Sequence, residues 1–433
     1  MEYSRIKQAI IDQKAELETV YRTEKIISRE ILEDYGKLLV SNQIKVITGP
    51  RRAGKSIFCL QLLHGREFAY INFDDENLAG LKKEDLNLVL KAFYELFGKP
   101  RYLFLDEVQN IEGWELFVNR LKRSGFNLIV TGSNARLLSR ELATHLTGRH
   151  FALEVFPFSF REYLAYFGIG HRDAPVTTEK AARLKRELER YISLGGFPEA
   201  YREPEPKRYL SSLYSSIITR DILLRHGVKY IKALRELSHY LISNFSCRMT
   251  FTKLKNVFGF KSVHTAQNYF SFLEESYLVL PVHKFSFKAK EKSGAPRKVY
   301  AIDTGFIHNF PGRWSADIGR LYENIVAVEL FRRMSREPDL EFFYWQDYSG
   351  KEVDFVLKKG PAVRELIQVC FDLENIDVRT REFKSLSRAA QELSCSKLLI
   401  ITSEKSGLEK FRGKTIELIP LWQWLLEREH SAP

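Results

Sequence analysis

Gly49-Pro50-Arg51-Arg52-Ala53-Gly54-Lys55-Ser56 sets two glycines, a lysine and a hydroxyl in the order G-x-x-x-x-G-K-[ST]. Those residue types at that spacing suit one task, the holding of a polyphosphate. Gly49 and Gly54 let the backbone curl so that loop N–H groups point inward, and a helix beginning at Lys55 adds the positive end of its dipole. Lys55 then reaches the β- and γ-phosphates of ATP, and the Ser56 hydroxyl binds Mg²⁺. Pro50, Arg51, Arg52, Ala53 and Ile57 complete the stretch expected to line the nucleotide.

A second chemical group lies about fifty residues on. Arg101-Tyr102-Leu103-Phe104-Leu105-Asp106-Glu107 is an apolar run ending in two carboxylates. Side chains alternate along a strand, so the two acids start on opposite faces and take different roles. Asp106 is expected to hold the Mg²⁺ shell, directly or through water. Glu107 is expected to polarise the attacking water as a general base. A third apolar run, Asn127 to Thr131, leads into Gly132-Ser133-Asn134, where either Ser133 or Asn134 is placed to sense the γ-phosphate. Thr147-Gly148-Arg149 leaves two readings open: a transition-state Arg acting in cis or from a neighbouring subunit, or a surface Arg at a helix end.

These groups need strands and helices to position them. Ile44 to Thr48 reads as a short buried strand, and Ile57 to Leu63 as a helix with one apolar face. Strand and helix patterns alternate over residues 41–160, as a parallel sheet covered on both faces requires. Residues 1–40 are polar and helix-prone, with Ile26, Ile27, Ile31, Leu32, Leu38 and Leu39 as an apolar stripe. Phe156-Pro157-Phe158 marks a boundary. Residues 161–245 then read as a helical lid, interrupted at Gly195-Gly196-Phe197-Pro198, where two glycines and a proline fix a turn.

Residues 246–312 read as a winged helix. Phe251 to Leu254 starts one helix, Phe258-Gly259-Phe260 turns, and Ser262 caps the next. A strand pair follows, with Lys284, Lys288, Lys290, Lys292, Arg297 and Lys298 flanking Gly294-Ala295-Pro296. A basic hairpin beside a second helix suits the backbone and groove of double-stranded DNA. The competing reading makes the module a packing element or nucleotide lid with solvated lysines. Residues 313–433 return to mixed α/β, with a helix from Leu321 through Glu329 and strands around Lys351 to Leu357 and Glu365 to Cys370. A helix glutamate, Glu323, and a strand aspartate, Asp354, follow the metal-binding plan of restriction-type nucleases.

Composition sets outer bounds. A chain of 433 residues is too long for one core. No run approaches the 18 or more apolar residues of a membrane span, and charges fill Met1 to Lys7 where a signal peptide has its apolar core. A cytoplasmic protein without membrane attachment is the expectation. Cys59, Cys247, Cys370 and Cys395 are too scattered for a zinc site and are expected as reduced thiols. A net charge of +12 suits an acidic partner without naming one.

Taken in order, the phosphate loop with Arg51-Arg52, Tyr70-Ile71-Asn72-Phe73-Asp74-Asp75, Leu105-Asp106-Glu107, Thr131-Gly132-Ser133, Gly148-Arg149, Pro157-Phe158-Ser159-Phe160, Gly195 to Glu199 and Lys351 to Leu357 span nearly the whole chain. In this order of motifs the chain resembles the prokaryotic AAA-type ATPases, close to the STAND NTPases, that carry a winged helix and a C-terminal domain of unknown function. That last domain resembles a PD-(D/E)xK nuclease fold. The resemblance implies an α/β architecture: a P-loop parallel sheet, a helical lid, a winged helix and a nuclease-like α/β domain. It also implies that Gly196-Phe197-Pro198 senses nucleotide near adenine, which adds Pro198 to the nucleotide contacts. One departure matters. Where the family tends to show Ile-Glu-Val-Lys, this chain has Ile367-Gln368-Val369-Cys370. Gln368 is a weaker metal ligand and Cys370 supplies no cation, so the domain is expected to bind or assemble rather than cleave.

Two functions follow from the sequence. The first is an ATPase switch or motor that couples nucleotide state to its grip on DNA or a protein, alone or as a homo-oligomer. The alternative is an ATP-dependent nuclease or defence effector.

Overall fold

The computed structural model describes residues 1–134, 150–170, 177–288, 294–309 and 317–427. They fall into two compact units. Arg149, Lys290 and Lys292 lie outside the described residues.

The first unit comprises Met1–Pro157, Ala165–Phe167 and Glu275–Tyr277. Its elements are α1 (Tyr3–Thr23), α2 (Leu32–Gly36), β1 (Ile44–Thr48), α3 (Lys55–Leu62), β2 (Phe68–Asn72), α4 (Leu86–Phe97), β3 (Tyr102–Asp106), α5 (Trp114–Arg123), β4 (Asn127–Gly132) and β5 (His150–Glu154). The five strands pair in parallel in the order β2-β3-β4-β1-β5. This is the P-loop NTPase arrangement expected from the alternating strand and helix patterns. Strand residues alternate between two cores. Ile44 and Val46 join Ile6, Ile10, Val89, Phe93, Val118 and Leu121 from α1, α4 and α5, while Ile47 joins Tyr35, Phe58 and Leu62 from α2 and α3. The strands are thus apolar on both faces, as parallel strands sandwiched by helices must be. The expected stripe from Ile26 to Leu39 is not one helix. Residues 25–29 are irregular, and α1 instead buries Ile6, Ala9, Ile10 and Gln13.

The second unit comprises Phe158–Leu164, Gly168–Glu274 and Leu278–Pro433. After α6 (Phe160–Tyr166), which crosses from one unit to the other, come α7 (Thr178–Leu194), α8 (Pro206–Ser216) and α9 (Ile231–Ser243). A three-stranded antiparallel sheet in the order β6-β8-β7 follows, built from β6 (Cys247–Met249), β7 (Val279–Val282) and β8 (Arg297–Ala301). Helices α10 (Phe251–Phe258) and α11 (Val263–Glu275) precede β7. Thr250 caps α10 through the Lys253 N–H at 3.2 Å, and Ser262 accepts from the Thr265 N–H at 3.1 Å. Gly259, with φ +62°, makes the left-handed turn between the two helices.

Then follow α12 (Thr304–His308), α13 (Ile318–Arg336), β9 (Leu340–Gln346), β10 (Glu352–Lys359), β11 (Ala362–Val369), α14 (Ile376–Glu392), β12 (Leu398–Thr402), β13 (Gly407–Phe411), β14 (Lys414–Pro420) and α15 (Leu421–Leu426). The last six strands form a mixed sheet ordered β13-β14-β12-β11-β10-β9. The chain after β7 does not stay in a free hairpin. Lys284 bridges to Tyr344 of β9, and the Phe285 N–H donates to the Tyr344 carbonyl at 2.7 Å. Lys284 is therefore tied to β9 by an isolated bridge and half-buried, a correction to its expected place in the basic hairpin. No helix among the described residues is long and apolar enough to cross a membrane, and all four cysteines are free.

Candidate functional site

In the first unit the phosphate loop joins the carboxyl end of β1 to the start of α3, at the edge where open α/β sheets bind ligands. Gly49 is obligatory there. It has φ +145°, and a Cβ on it would stand 2.1 Å from the Val155 carbonyl oxygen. Gly54, with φ +90°, opens α3. Arg29 braces the loop from behind, donating to the carbonyls of Ala53 at 3.0 Å and Phe156 at 2.6 Å. Nothing in the local sequence around Arg29 signals that role. Arg51 pairs with Asp74 at 3.5 Å, and Arg52 takes a left-handed φ of +64°.

Lys55 is buried, and its ammonium donates to the Gly49 and Pro50 carbonyls at 3.1 Å each. The Glu107 carboxylate stands 3.7 Å from the same nitrogen. A cation resting on backbone carbonyls inside a phosphate loop is poised for a stronger anionic partner. The Ser56 hydroxyl donates to Asp106 Oδ2 at 2.7 Å, Tyr70 donates to the same oxygen at 3.2 Å, and the Thr131 hydroxyl donates to Asp106 Oδ1. Burial, and then the Glu107 charge, push the Asp106 carboxyl above its usual range, against the pull of Thr131, Ser56 and Lys55. A hydroxyl and a carboxylate this close form a hard-oxygen donor set that fits Mg²⁺.

Strand alternation does not continue through the two acids. β3 ends at Asp106, and Glu107 adopts a left-handed φ of +50°, its N–H donating to Thr131 Oγ1 at 3.0 Å. That turn brings both carboxylates into one site instead of leaving them on opposite faces. Their exposure still separates them: Asp106 is 2% exposed, whereas the Glu107 side chain is 17% exposed and open to a water. A strained conformation at such a position is a mark of function. Ser133 and Asn134, both buried, follow directly on β4, which lies between β3 and β1. Thr131 touches both Asp106 and Glu107. Its sequence signals are a polar residue near the end of an apolar strand and the Thr131-Gly132-Ser133 motif, neither of which gives it this role. Tyr277, also in this unit, donates to Glu154 Oε1 at 3.0 Å and lies 3.0 Å from Thr48 Oγ1, the residue before Gly49.

In the second unit, the Gly195–Pro198 turn is locked by Asp303. The Gly196 N–H donates to Asp303 Oδ2 at 2.6 Å and the Gly305 N–H to Oδ1 at 2.8 Å. A Cβ on Gly195 would meet Asp303 Oδ1 at 1.7 Å. Phe197 is fully buried against Phe306, and Pro198 opens a short 3₁₀ turn. Burial pushes the Asp303 carboxyl up to about 7, against the two backbone donors.

A second polar cluster lies where β8, α13 and the six-stranded sheet meet. Glu352 and Asp354 alternate onto one face of β10, and Lys298 and Tyr300 onto one face of β8. Lys298 is not a solvent-exposed hairpin residue, as the basic-hairpin reading required. Its ammonium is buried and stands 2.7 Å from Glu323, 2.6 Å from Glu352 and 2.8 Å from Asp354. Arg297 stacks over Phe251 and Phe270, and Lys288 is exposed. Tyr300 donates to Glu323 at 2.7 Å, and the Val369 N–H donates to Asp354 Oδ2 at 2.9 Å. Gln368 accepts from the Asp354 N–H at 3.2 Å and donates to Glu382 at 2.8 Å. Cys370 is buried, its thiol pushed up to about 12 mainly by burial. Burial alone would discharge Lys298, but Asp354 and Glu323 outweigh it and hold the ammonium charged.

Comparison with known proteins places these units. Residues 41–164 match the model of an AAA domain, residues 185–316 a domain of unknown function (DUF8612), and residues 318–424 another (DUF4143). The chain is 29% identical over 420 residues to an uncharacterized protein of Haemophilus influenzae, covering 93% of this chain and 99% of that one. Two solved structures are loosely similar in fold. One is the Walker-type ATPase PABY2304 of Pyrococcus abyssi, at 15% identity, 66% coverage of this chain, 96% of that chain and TM-score 0.43. The other is the STAND protein PH0952 of Pyrococcus horikoshii, which has a tetratricopeptide repeat sensor, at 12% identity, 72% and 46% coverage and TM-score 0.27. The uncharacterized protein MJ1544 of Methanocaldococcus jannaschii is 35% identical over 418 residues, covering 93% of this chain and 91% of that one. The chain therefore belongs to the family of MJ1544, and its residues 41–164 are an AAA-type, ATP-binding ATPase domain.

Proposed function

We propose that this protein is a Mg²⁺-dependent ATPase switch or motor whose nucleotide state changes its grip on DNA or on a protein partner. One observation carries the reading: Lys55, Ser56, Asp106, Glu107 and Thr131 converge at the carboxyl edge of one parallel sheet. Lys55 leaves the Gly49 and Pro50 carbonyls to meet the β- and γ-phosphates. Ser56 and Asp106 would hold Mg²⁺, which when bound neutralises charge on the phosphate oxygens. Glu107, next to Lys55 and partly open, takes a proton from the attacking water, while Thr131 fixes its backbone. Ser133 or Asn134 reads the γ-phosphate, and Arg149 meets the transition-state charge in cis or from a second copy.

The nuclease alternative is disfavoured by the cluster in the second unit, where Gln368 replaces an acid and is engaged at both ends. The test is ATP hydrolysis by the full chain with and without double-stranded DNA, with a Mg²⁺-dependent cleavage assay on the same DNA. Hydrolysis stimulated by DNA, with the DNA left intact, supports the reading. Linear fragments that require Asp354 would instead favour the nuclease.

A further inference from the structure

The carboxylates of the second unit lie where a nuclease-like fold would gather a divalent cation, and they already surround a cation. We infer that the Lys298 ammonium is the resident cation of this pocket and takes the place of a divalent metal. Three observations carry the assignment, all within one unit and independent of the ATPase reading.

The first is stoichiometric. An ammonium has three N–H donors and no acceptor, and Lys298 meets three carboxylate oxygens, at 2.6, 2.7 and 2.8 Å. None of its donors remains for a phosphate. The second is that the carboxylates are already occupied. Asp354 gives Oδ1 to Lys298 and Oδ2 to the Val369 N–H. Glu323 Oε1 receives both Lys298 and Tyr300, and the second oxygen of Glu352 lies 3.4 Å from Arg248. A metal entering here would have to displace the lysine and compete with the donors behind it. The third is the route by which the lysine arrives. It comes from β8, and Asn324, buried on α13 beside Glu323, holds the Ala301 N–H and carbonyl at 2.9 Å each. That pair of bonds fixes β8 against α13, so the ammonium is delivered by a rigid strand.

Gln368 fits the same scheme. With one positive charge in the pocket instead of two, an acid on β11 would add a fourth carboxylate to Glu323, Glu352 and Asp354 with no charge to offset it. The neutral amide keeps the geometry and bonds to the Asp354 N–H and to Glu382. Among the described residues, no group of three or more His, Cys, Asp or Glu is arranged to hold a metal ion. Vacated by the ammonium, the three oxygens would need to close by roughly half an ångström to bind a small divalent cation.

The experiment is Mn²⁺ binding to the nucleotide-free full chain, followed by electron paramagnetic resonance, for the wild type, Lys298→Met and Lys298→Met with Asp354→Asn. The expected result is no Asp354-dependent Mn²⁺ site in the wild type. Lys298→Met should gain affinity by about tenfold or more, and the added Asp354→Asn should remove that gain. No gain in Lys298→Met would overturn the inference, because the pocket would then not be a cation site at all. Since removing the ammonium strands carboxylates in a core, the wild type is also read alone, by its urea midpoint in Mn²⁺ and in chelator. An unchanged midpoint supports the resident lysine. An Asp354-dependent stabilisation by Mn²⁺ in the wild type overturns it.

Discussion

Two buried lysines, each close to acids, divide the chemistry of this protein. Lys55 rests on two backbone carbonyls with a single carboxylate 3.7 Å away. Lys298 is bonded to three carboxylates, none farther than 2.8 Å. Nearly the same burial, 5% against 4% side-chain exposure, thus gives opposite capacities. Carbonyls are weak partners that a phosphate displaces, whereas three carboxylates saturate the charge. A lysine in a functional site is useful in proportion to the charge its neighbours leave uncompensated.

The sharpest way to break this comparison is to remove the saturated lysine. Lys298→Ala leaves carboxylates without their counter-charge, and loss of one member of such a buried set costs about 3–5 kcal/mol. Urea unfolding of the second unit should show a loss of that size in metal-free buffer, and a loss under about 1 kcal/mol would place Lys298 among weak surface pairs.

A smaller effect sits at the turn that Asp303 holds. Its folded-state carboxyl, near 7, lies above the ordinary value of 3.8. The folded chain therefore binds the extra proton between those values. The contribution is full below about pH 4 and is lost as pH rises toward 7. Stability should fall with pH across that window by no more than about 1.4 kcal/mol per unit. Asp303→Asn should flatten the profile between pH 5 and 7. An unchanged slope would remove Asp303 as its source.

The smallest effect concerns the lysines around the basic turn. Neutralising Lys288, Lys290 and Lys292 together should weaken DNA binding about equally across sequences. For every phosphate no longer neutralised, the slope of log affinity against log salt should flatten by roughly 0.9. The basal ATPase rate should not change. An unchanged salt slope would leave the protein partner as the better reading.

The contrast between the two lysines also explains what is legible in the sequence. The nucleotide site is legible because its groups are packed into short local motifs, each beside the strand that carries it. Glycines at 49 and 54, Lys55, Ser56 and the Asp106-Glu107 pair announce themselves by spacing. The left-handed turn at Glu107 is not legible, because strand alternation is a local rule and the turn depends on Thr131 in the neighbouring strand. Arg29 and Tyr277 are invisible for a related reason: Arg29 bonds the loop and Tyr277 the ends of β1 and β5 beside it, each from a distant position and without a motif. Lys298 misleads outright. Sequence counts a lysine among lysines as basic surface, and only the packing of β8 against α13 and β10 makes it a core cation. The absence of a lysine at position 370 is plain in the sequence, but the delivery of Lys298 from β8 into the carboxylates is not.

The proposed division of labour in the first unit, in which Lys55 binds and Glu107 reacts, is tested most directly by measuring ATP affinity and turnover together. The variants are Lys55→Ala and Glu107→Gln. Lys55 meets charge already present in the ground state, so Lys55→Ala should lose most ATP binding. Glu107 acts on the water, so Glu107→Gln should bind ATP like the wild type and hydrolyse it about 10²- to 10⁴-fold more slowly. Equal loss of binding in both variants, or full turnover in Glu107→Gln, would contradict the assignment.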